Sequence, residues 1–282
     1  MIKKIIDVIL YGSIFISFCA VALCIETALL LHISLQSFTF YLFVFGATLL
    51  QYNLHYLFKK NVIANSNRVS WSAQHKKTYY ILIFSGVLFI LISLFSFRLH
   101  HFIILSIFGC ISILYSFPFL PFPHKKRIKD FGLLKIITLA LLWTLVTVWF
   151  PADQINILDL SYLLIFIRRF IFIFILCLLF DIRDTEIDRQ EKISTISVKI
   201  GAKKSYWLCY LLLGVFALLS LLEFVFVKDI FLLSAMLISA LATVLIIEFS
   251  KKNTSDFIYL FLIDGMMLLQ ALLVMIASEY LQ

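Results

Sequence analysis

The sequence predicts an all-α integral membrane protein, a polytopic bundle of nine transmembrane helices forming one domain over residues 1–282. Three observations predict it: the composition, the spacing of long apolar runs, and the side on which Lys and Arg fall. Hydrophobic residues make up 63% of the chain and charged residues 14%, with a mean hydropathy of +1.05. A soluble domain is about half apolar and about a quarter charged, so that class is excluded.

The apolar runs are taken in chain order. Run one, 5–31, is too long for a removable signal peptide and lacks its small-residue cleavage site. Run two, 38–58, turns polar near its end at Asn53 and His55. Run three, 78–97, follows the polar loop 59–77 and stops before Arg98. Run four, 102–120, is closed by Pro118, Pro121 and Pro123, and run five, 131–150, by Pro151, since proline cannot continue a helix. Run six, 162–180, carries Arg168 and Arg169 and leads into an acidic segment. Run seven, 206–227, contains Glu223; run eight, 230–249, precedes Lys251 and Lys252; run nine, 257–277, contains Asp264. Each is long enough to cross the bilayer as a helix. Backbone groups in hydrocarbon must be satisfied within the chain, and no alternating ten-residue pattern argues for a barrel.

With the N-terminus cytoplasmic, the inner segments carry 20 of the 24 Lys and Arg, and the outer ones only Arg98 and Lys228. This asymmetry predicts a bacterial-type inner membrane protein with a cytoplasmic N-terminus and an external C-terminus. The net charge of +8 follows from that topology and from contact with anionic lipid headgroups, and no motif calls for a nucleic-acid partner. The cysteines, Cys19, Cys24, Cys110, Cys177 and Cys209, lie within spans without metal-ligand spacing and read as packing residues. Arg168 and Arg169 lie deep in run six, where a guanidinium is costly unless paired. Glu26 and Glu223 lie at comparable depth and are the expected partners. Asp264, about two turns into run nine, reads as a functional acid or as the partner of a neighbouring helix.

Long cytoplasmic loops at 59–77, 121–135 and 181–204 place the chemistry at one mouth of the bundle. In the third, Asp181, Asp184 and Asp188 are spaced i, i+3 and i+7, one face of a continuous helix. Three carboxylates at a membrane rim repel one another unless a cation lies among them, and Mg²⁺ is the hard cation that oxygen ligands suit. The plainer reading is a solvated helix on which Asp188 and Lys192 form an i, i+4 pair.

The run Asp181-Ile-Arg-Asp184-Thr-Glu-Ile-Asp188, followed by Lys192, Thr195, Val198 and Lys199-Ile-Gly201, resembles the second aspartate-rich motif of the UbiA superfamily of intramembrane prenyltransferases. Tyr115-Ser-Phe-Pro118 before a basic loop, with Lys135 leading into run five, is similar to that family as well. The resemblance implies nine helices, Mg²⁺ as cofactor, and a prenyl diphosphate and a lipophilic acceptor as partners. It assigns the metal to Asp181, Asp184 and Asp188, with Asp184 and Asp188 carrying the main catalytic role. Substrate contacts fall to Asn53, Arg68, Tyr115, Lys125, Arg127 and Lys192. The first family motif, Asn-Asp-x-x-Asp-x-x-x-Asp, falls on the segment Asn53-Leu54-His55-Tyr56-Leu57-Phe58-Lys59-Lys60-Asn61, where Leu54 and Leu57 supply no oxygen. A second Mg²⁺ would be held poorly there, and basic residues can share the task of stabilising the diphosphate. Two other readings stay open: a non-catalytic isoprenoid-lipid binder on the same fold, and a small transporter using Arg168, Arg169, Glu26 and Asp264.

Overall fold

The computed structural model describes residues 2–57, 67–116 and 127–279, and among them the secondary structure is entirely helical. In order the elements are α1 Ile2–Tyr11, α2 Ile14–Leu30, α3 Phe38–Leu57, α4 Asn67–Gln74, α5 Lys76–Leu94, α6 Leu99–Ser116, α7 Gly132–Thr144, α8 Leu160–Arg183, α9 Thr185–Gln190, α10 Ile196–Ile200, α11 Ala202–Val227, α12 Ile230–Ser250 and α13 Asp264–Glu279. A π-helical turn, Leu145–Trp149, extends α7, and another, Ile258–Ile263, opens α13.

Among the described residues seven helices are long and apolar enough to cross a membrane, and the pair α1 and α2 makes an eighth if counted as one span. That pair corrects the expectation of one straight first helix, because the chain bends by 58° between Tyr11 and Ile14. Ser13 takes a left-handed φ of 64° there, which an unbroken helix does not allow. The ninth expected segment is α3, a 20-residue helix made less apolar by Gln51, Asn53 and His55.

Burial separates an inner strut from a lipid-facing shell. In α8, 61% of the span is buried, against 17% of α5 and α11 and 11% of α6. Leu and Phe exposed on α5, α6 and α11 therefore face hydrocarbon, where apolar exposure carries no penalty. Cys110 is exposed on α6, contrary to its expected packing role, whereas Cys19, Cys24 and Cys209 are buried. Glycines allow a close helix contact between α3 and α5. A Cβ on Gly86 of α5 would lie 2.9 Å from the Gly46 carbonyl of α3, and one on Gly46 would lie 2.8 Å from Phe89 Cβ. Without water to drive helices together, such close backbone approach supplies the packing that holds them.

The deep charges are paired as the sequence suggests. Arg169 Nη2 lies 3.0 Å from Glu26 Oε1, and Arg168 bonds Glu223. Arg169 also donates to Leu23 O and Thr147 Oγ1, both at 3.3 Å, so α8 is tied by hydrogen bonds to α2 and to the π turn after α7.

Candidate metal and diphosphate site

The site is built where α8 ends. Asp184 closes α8, its N–H bonding Phe180 O, and also opens α9, so the helix breaks inside the acidic run. The three aspartates therefore do not share one continuous helical face. Asp181 is on the last turn of α8 and Asp188 on α9, both buried, yet both reach the same cation. Lys135 Nζ, from the first turn of α7, lies 2.9 Å from Asp181 Oδ1 and 3.1 Å from Asp188 Oδ2. Its distance to Asp188 Oδ1 is 3.3 Å. Asp184 is more exposed and pairs instead with the Arg183 guanidinium, Nε to Oδ1 at 2.8 Å.

The plainer reading of the acidic run is corrected here. Lys192 does not pair with Asp188: α9 ends at Gln190, Lys192 turns through a left-handed φ of 57°, and Asp188 O accepts the Ile193 N–H at 2.8 Å. Lys192 instead borders a pocket of about 360 Å³ with Asp130, Lys199, Ser194 and the start of α7. Burial holds the Asp188 carboxyl above the ordinary carboxylate range, against the opposing pull of Lys135.

A second group of charges lies beside the first. Arg183 extends past Asp184 to Asp256, at 3.5 Å, and its guanidinium stacks over Tyr259 and Phe180, at 4.6 and 5.1 Å from the ring centroids. Asp256 Oδ2 accepts the Arg68 backbone N–H at 3.2 Å, while Arg68 Nη2 donates to Ser13 Oγ at 2.7 Å. Asn53 Nδ2 donates to Gly12 O at 2.9 Å and Leu49 O at 2.8 Å. Asn53 and Arg68, two expected substrate residues, thus meet at the bend between α1 and α2. Asp264 is buried on the first turn of α13, and Cys177 lies one turn before Asp181 on α8. Arg183, paired with both Asp184 and Asp256, joins the two groups of charges at this end of the bundle.

Of the other expected residues, Tyr115 is half-buried at the end of α6. Arg127 is engaged locally, Nη2 to Asp130 Oδ1 at 2.8 Å. Lys125 lies outside the described residues, as do Lys59, Lys60 and Asn61 of the first motif. Arg183 and Asp256 were not singled out by sequence. Arg183 counted only as one more inner-side base, and Asp256 stands apart from the acidic run with no spacing that links it to the site.

The donor chemistry fits a hard divalent cation. Asp181 and Asp188 already converge on a single positive group, and among the described residues Asp181 Oδ2 and Asn53 Oδ1 are buried oxygens without hydrogen-bond partners. A Mg²⁺ ion bound there would take carboxylate oxygens from the chain and its remaining ligands from water and phosphate. Another group, His100, His101 and Asp153 near the start of α6, has ligand atoms within 4.8 Å of one another. It reads as a hydrogen-bonded clasp. His101 Nδ1 accepts the Arg98 N–H at 3.0 Å, which leaves the proton of the neutral ring on the Nε2 that faces Asp153.

Comparison with known structures places this fold. A UbiA homolog from Archaeoglobus fulgidus bound to GPP and Mg²⁺ is similar at 14% identity and a TM-score of 0.68, covering 96% of this chain and 99% of that one. A UbiA homolog from the same organism bound to Cd²⁺ gives 13% identity and 0.62, covering 96% and 98%. A digeranylgeranylglyceryl phosphate synthase gives 17% identity and 0.57 over 99% of both chains. No curated protein matches the sequence significantly. These likenesses establish the fold. A model of the UbiA prenyltransferase family matches residues 59–266, which takes in α4 to the start of α13 and every aspartate of the site, and the chain accordingly belongs to the UbiA prenyltransferase family.

Proposed function

We propose that this membrane protein transfers a prenyl group from an isoprenoid diphosphate to a lipophilic acceptor in a Mg²⁺-dependent reaction. The observation that carries the reading is the convergence of Asp181 and Asp188 on one cationic position, with Arg183 on the neighbouring Asp184. Asp181 and Asp188 would hold the metal with Asp184 beside them, and Mg²⁺ would supply positive charge to the departing diphosphate. The chain's own cations serve the same end. Lys135, Arg183 and Arg68 offset charge that grows on the leaving group as the allylic carbon–oxygen bond breaks. Tyr115 is half-buried at the end of α6, and the apolar bundle beneath would keep water from the allylic cation before the acceptor captures it. The acceptor loses a proton and inorganic diphosphate leaves. The GPP and Mg²⁺ bound to the Archaeoglobus fulgidus homolog support this choice of substrate and ion.

The charge asymmetry supports a site on the cytoplasmic side of a bacterial-type inner membrane, with one domain embedded among anionic lipids. Leu54 and Leu57, which offer no metal ligand, favour a second reading, a relative that binds prenyl diphosphate without turning it over. The transporter reading loses support because Arg168 and Arg169 are locked in buried pairs with Glu223 and Glu26.

Membranes containing the protein, incubated with labelled prenyl diphosphates and a lipid extract with or without EDTA, distinguish these readings. Labelled lipid product that disappears with EDTA is the expected result. Binding that needs the aspartates but yields no product on any acceptor would identify the non-catalytic relative.

A further inference from the structure

We propose that Lys135 is a tethered cation that competes with the divalent metal for Asp181 and Asp188, so that the metal binds well only together with a diphosphate. This rests on the reading above and adds a means of regulating that site.

The ammonium occupies the place a metal would need. It lies 2.9 Å from one oxygen of Asp181 and 3.1 and 3.3 Å from the two oxygens of Asp188. The clasp is incomplete, because Asp181 Oδ2 stays buried with no hydrogen-bond partner among the described residues. An unpaired buried carboxylate oxygen keeps the empty state from being a deep minimum and leaves a ligand for an incoming cation.

The backbone beneath Lys135 is fixed while its amine is not. A Cβ at Gly132 would sit 1.8 Å from Ser194 O, so the start of α7 is pressed against the segment that follows α9. That contact sets the Lys135 Cα relative to Asp188. The amine stands on a flexible four-carbon stem and its side chain is 22% exposed, which allows it to swing from carboxylate to phosphate. A divalent ion alone must displace the ammonium and take both of its carboxylate partners. An ion arriving with a diphosphate gives the displaced ammonium a phosphate oxygen to bind. Lys135 therefore opposes the bare ion and favours the metal–diphosphate complex.

Isothermal titration of the purified full chain with MgCl₂ alone, and then with geranyl diphosphate at fixed Mg²⁺, tests this. In Lys135→Met the pair loses its internal cation, so affinity for Mg²⁺ alone should rise roughly tenfold or more, while geranyl diphosphate binding weakens by a similar factor. Lys135→Arg keeps the charge and grips carboxylates in a bidentate fork, so Mg²⁺ alone should bind more weakly than to wild type by about threefold or more. The Arg variant carries the test if the Met variant fails to fold. Unchanged or weaker Mg²⁺ binding in Lys135→Met, or tighter binding in Lys135→Arg, overturns the proposal. If Mg²⁺ affinity follows the predicted pattern but no variant and no wild-type protein binds geranyl diphosphate, the competition stands and the prenyl-diphosphate reading fails. If the substrate binds and Mg²⁺ alone is insensitive to Lys135, the reverse holds.

Discussion

Arg169 of α8 reaches Glu26 of α2 at 3.0 Å, and its neighbour Arg168 reaches Glu223 of α11, so two consecutive residues fasten the central helix to opposite partners. Each pair is buried, and burying one charge without the other is far costlier than burying both or neither. Glu26→Ala should therefore destabilise the bundle by roughly 3–5 kcal/mol. Adding Arg169→Met should restore much of the loss, because the orphaned guanidinium is then gone. Denaturant or thermal unfolding in detergent measures both. A double variant no more stable than Glu26→Ala alone would show that the pair does not act as a unit.

Asp188 and Asp184 differ in their partners, and their variants should differ accordingly. Asp188 shares Lys135 with Asp181 inside the site, whereas Asp184 is more exposed and held by Arg183. Asp188→Asn keeps the shape and removes a charge, so it should reduce Mg²⁺-dependent geranyl diphosphate binding by roughly tenfold or more, with a smaller loss for Asp184→Asn. EDTA should abolish the difference between wild type and Asp188→Asn. Equal losses in the two variants would mean that the break between α8 and α9 closes when ligand binds.

The spans and the paired deep charges were legible because they follow from solvation alone: long apolar runs cross, and buried guanidiniums take carboxylates. The acidic motif was legible as a motif, but its geometry was not. An unbroken helix would have aligned Asp181, Asp184 and Asp188, and nothing in the run Asp-Ile-Arg-Asp-Thr-Glu marks the turn that forms at Asp184. The bend at Ser13 was equally hidden, since neither Gly12 nor Ser13 interrupts the apolar run as proline does. Arg183, Asp256 and Tyr259 come together across the ends of α8 and α13, a long-range arrangement that local spacing does not encode.

Gly132 supplies a separate test of how the site is held. A methyl group there would meet the Ser194 carbonyl at 1.8 Å, a backbone atom that no side-chain rotation can clear. Gly132→Ala should force α7 away from the 191–195 segment, costing about 1–3 kcal/mol and weakening diphosphate binding through displacement of Lys135. Gly109, with nothing within 4 Å of its would-be Cβ, is the control, and Gly109→Ala should leave both properties unchanged. Loss of stability without loss of binding in Gly132→Ala would separate the packing contact from the position of Lys135.

The number of crossings turns on α3. Seven helices and the bent pair of α1 and α2 give eight spans by length and apolarity, which would return the C-terminus to the side of the N-terminus. A crossing by α3 makes nine and puts the termini on opposite sides. Three observations favour the crossing. At 20 residues, α3 is about 30 Å long, which matches the hydrocarbon core. It also packs backbone to backbone on α5 at Gly46 and Gly86, near the middle of each helix. Its polar residues Gln51 and Asn53 are directed inward, donating to Ser116 at 3.0 Å and Gly12 at 2.9 Å, so they do not meet lipid. Reporter fusions after residues 66 and 279 decide it. The expected result is a cytoplasmic signal at 66 and an external one at 279, with 20 of 24 Lys and Arg then inside. An external signal at 66 would leave α3 uncrossed and, with four spans from α5 to α8 between it and the acidic run, would put Asp181, Asp184 and Asp188 on the external side as well.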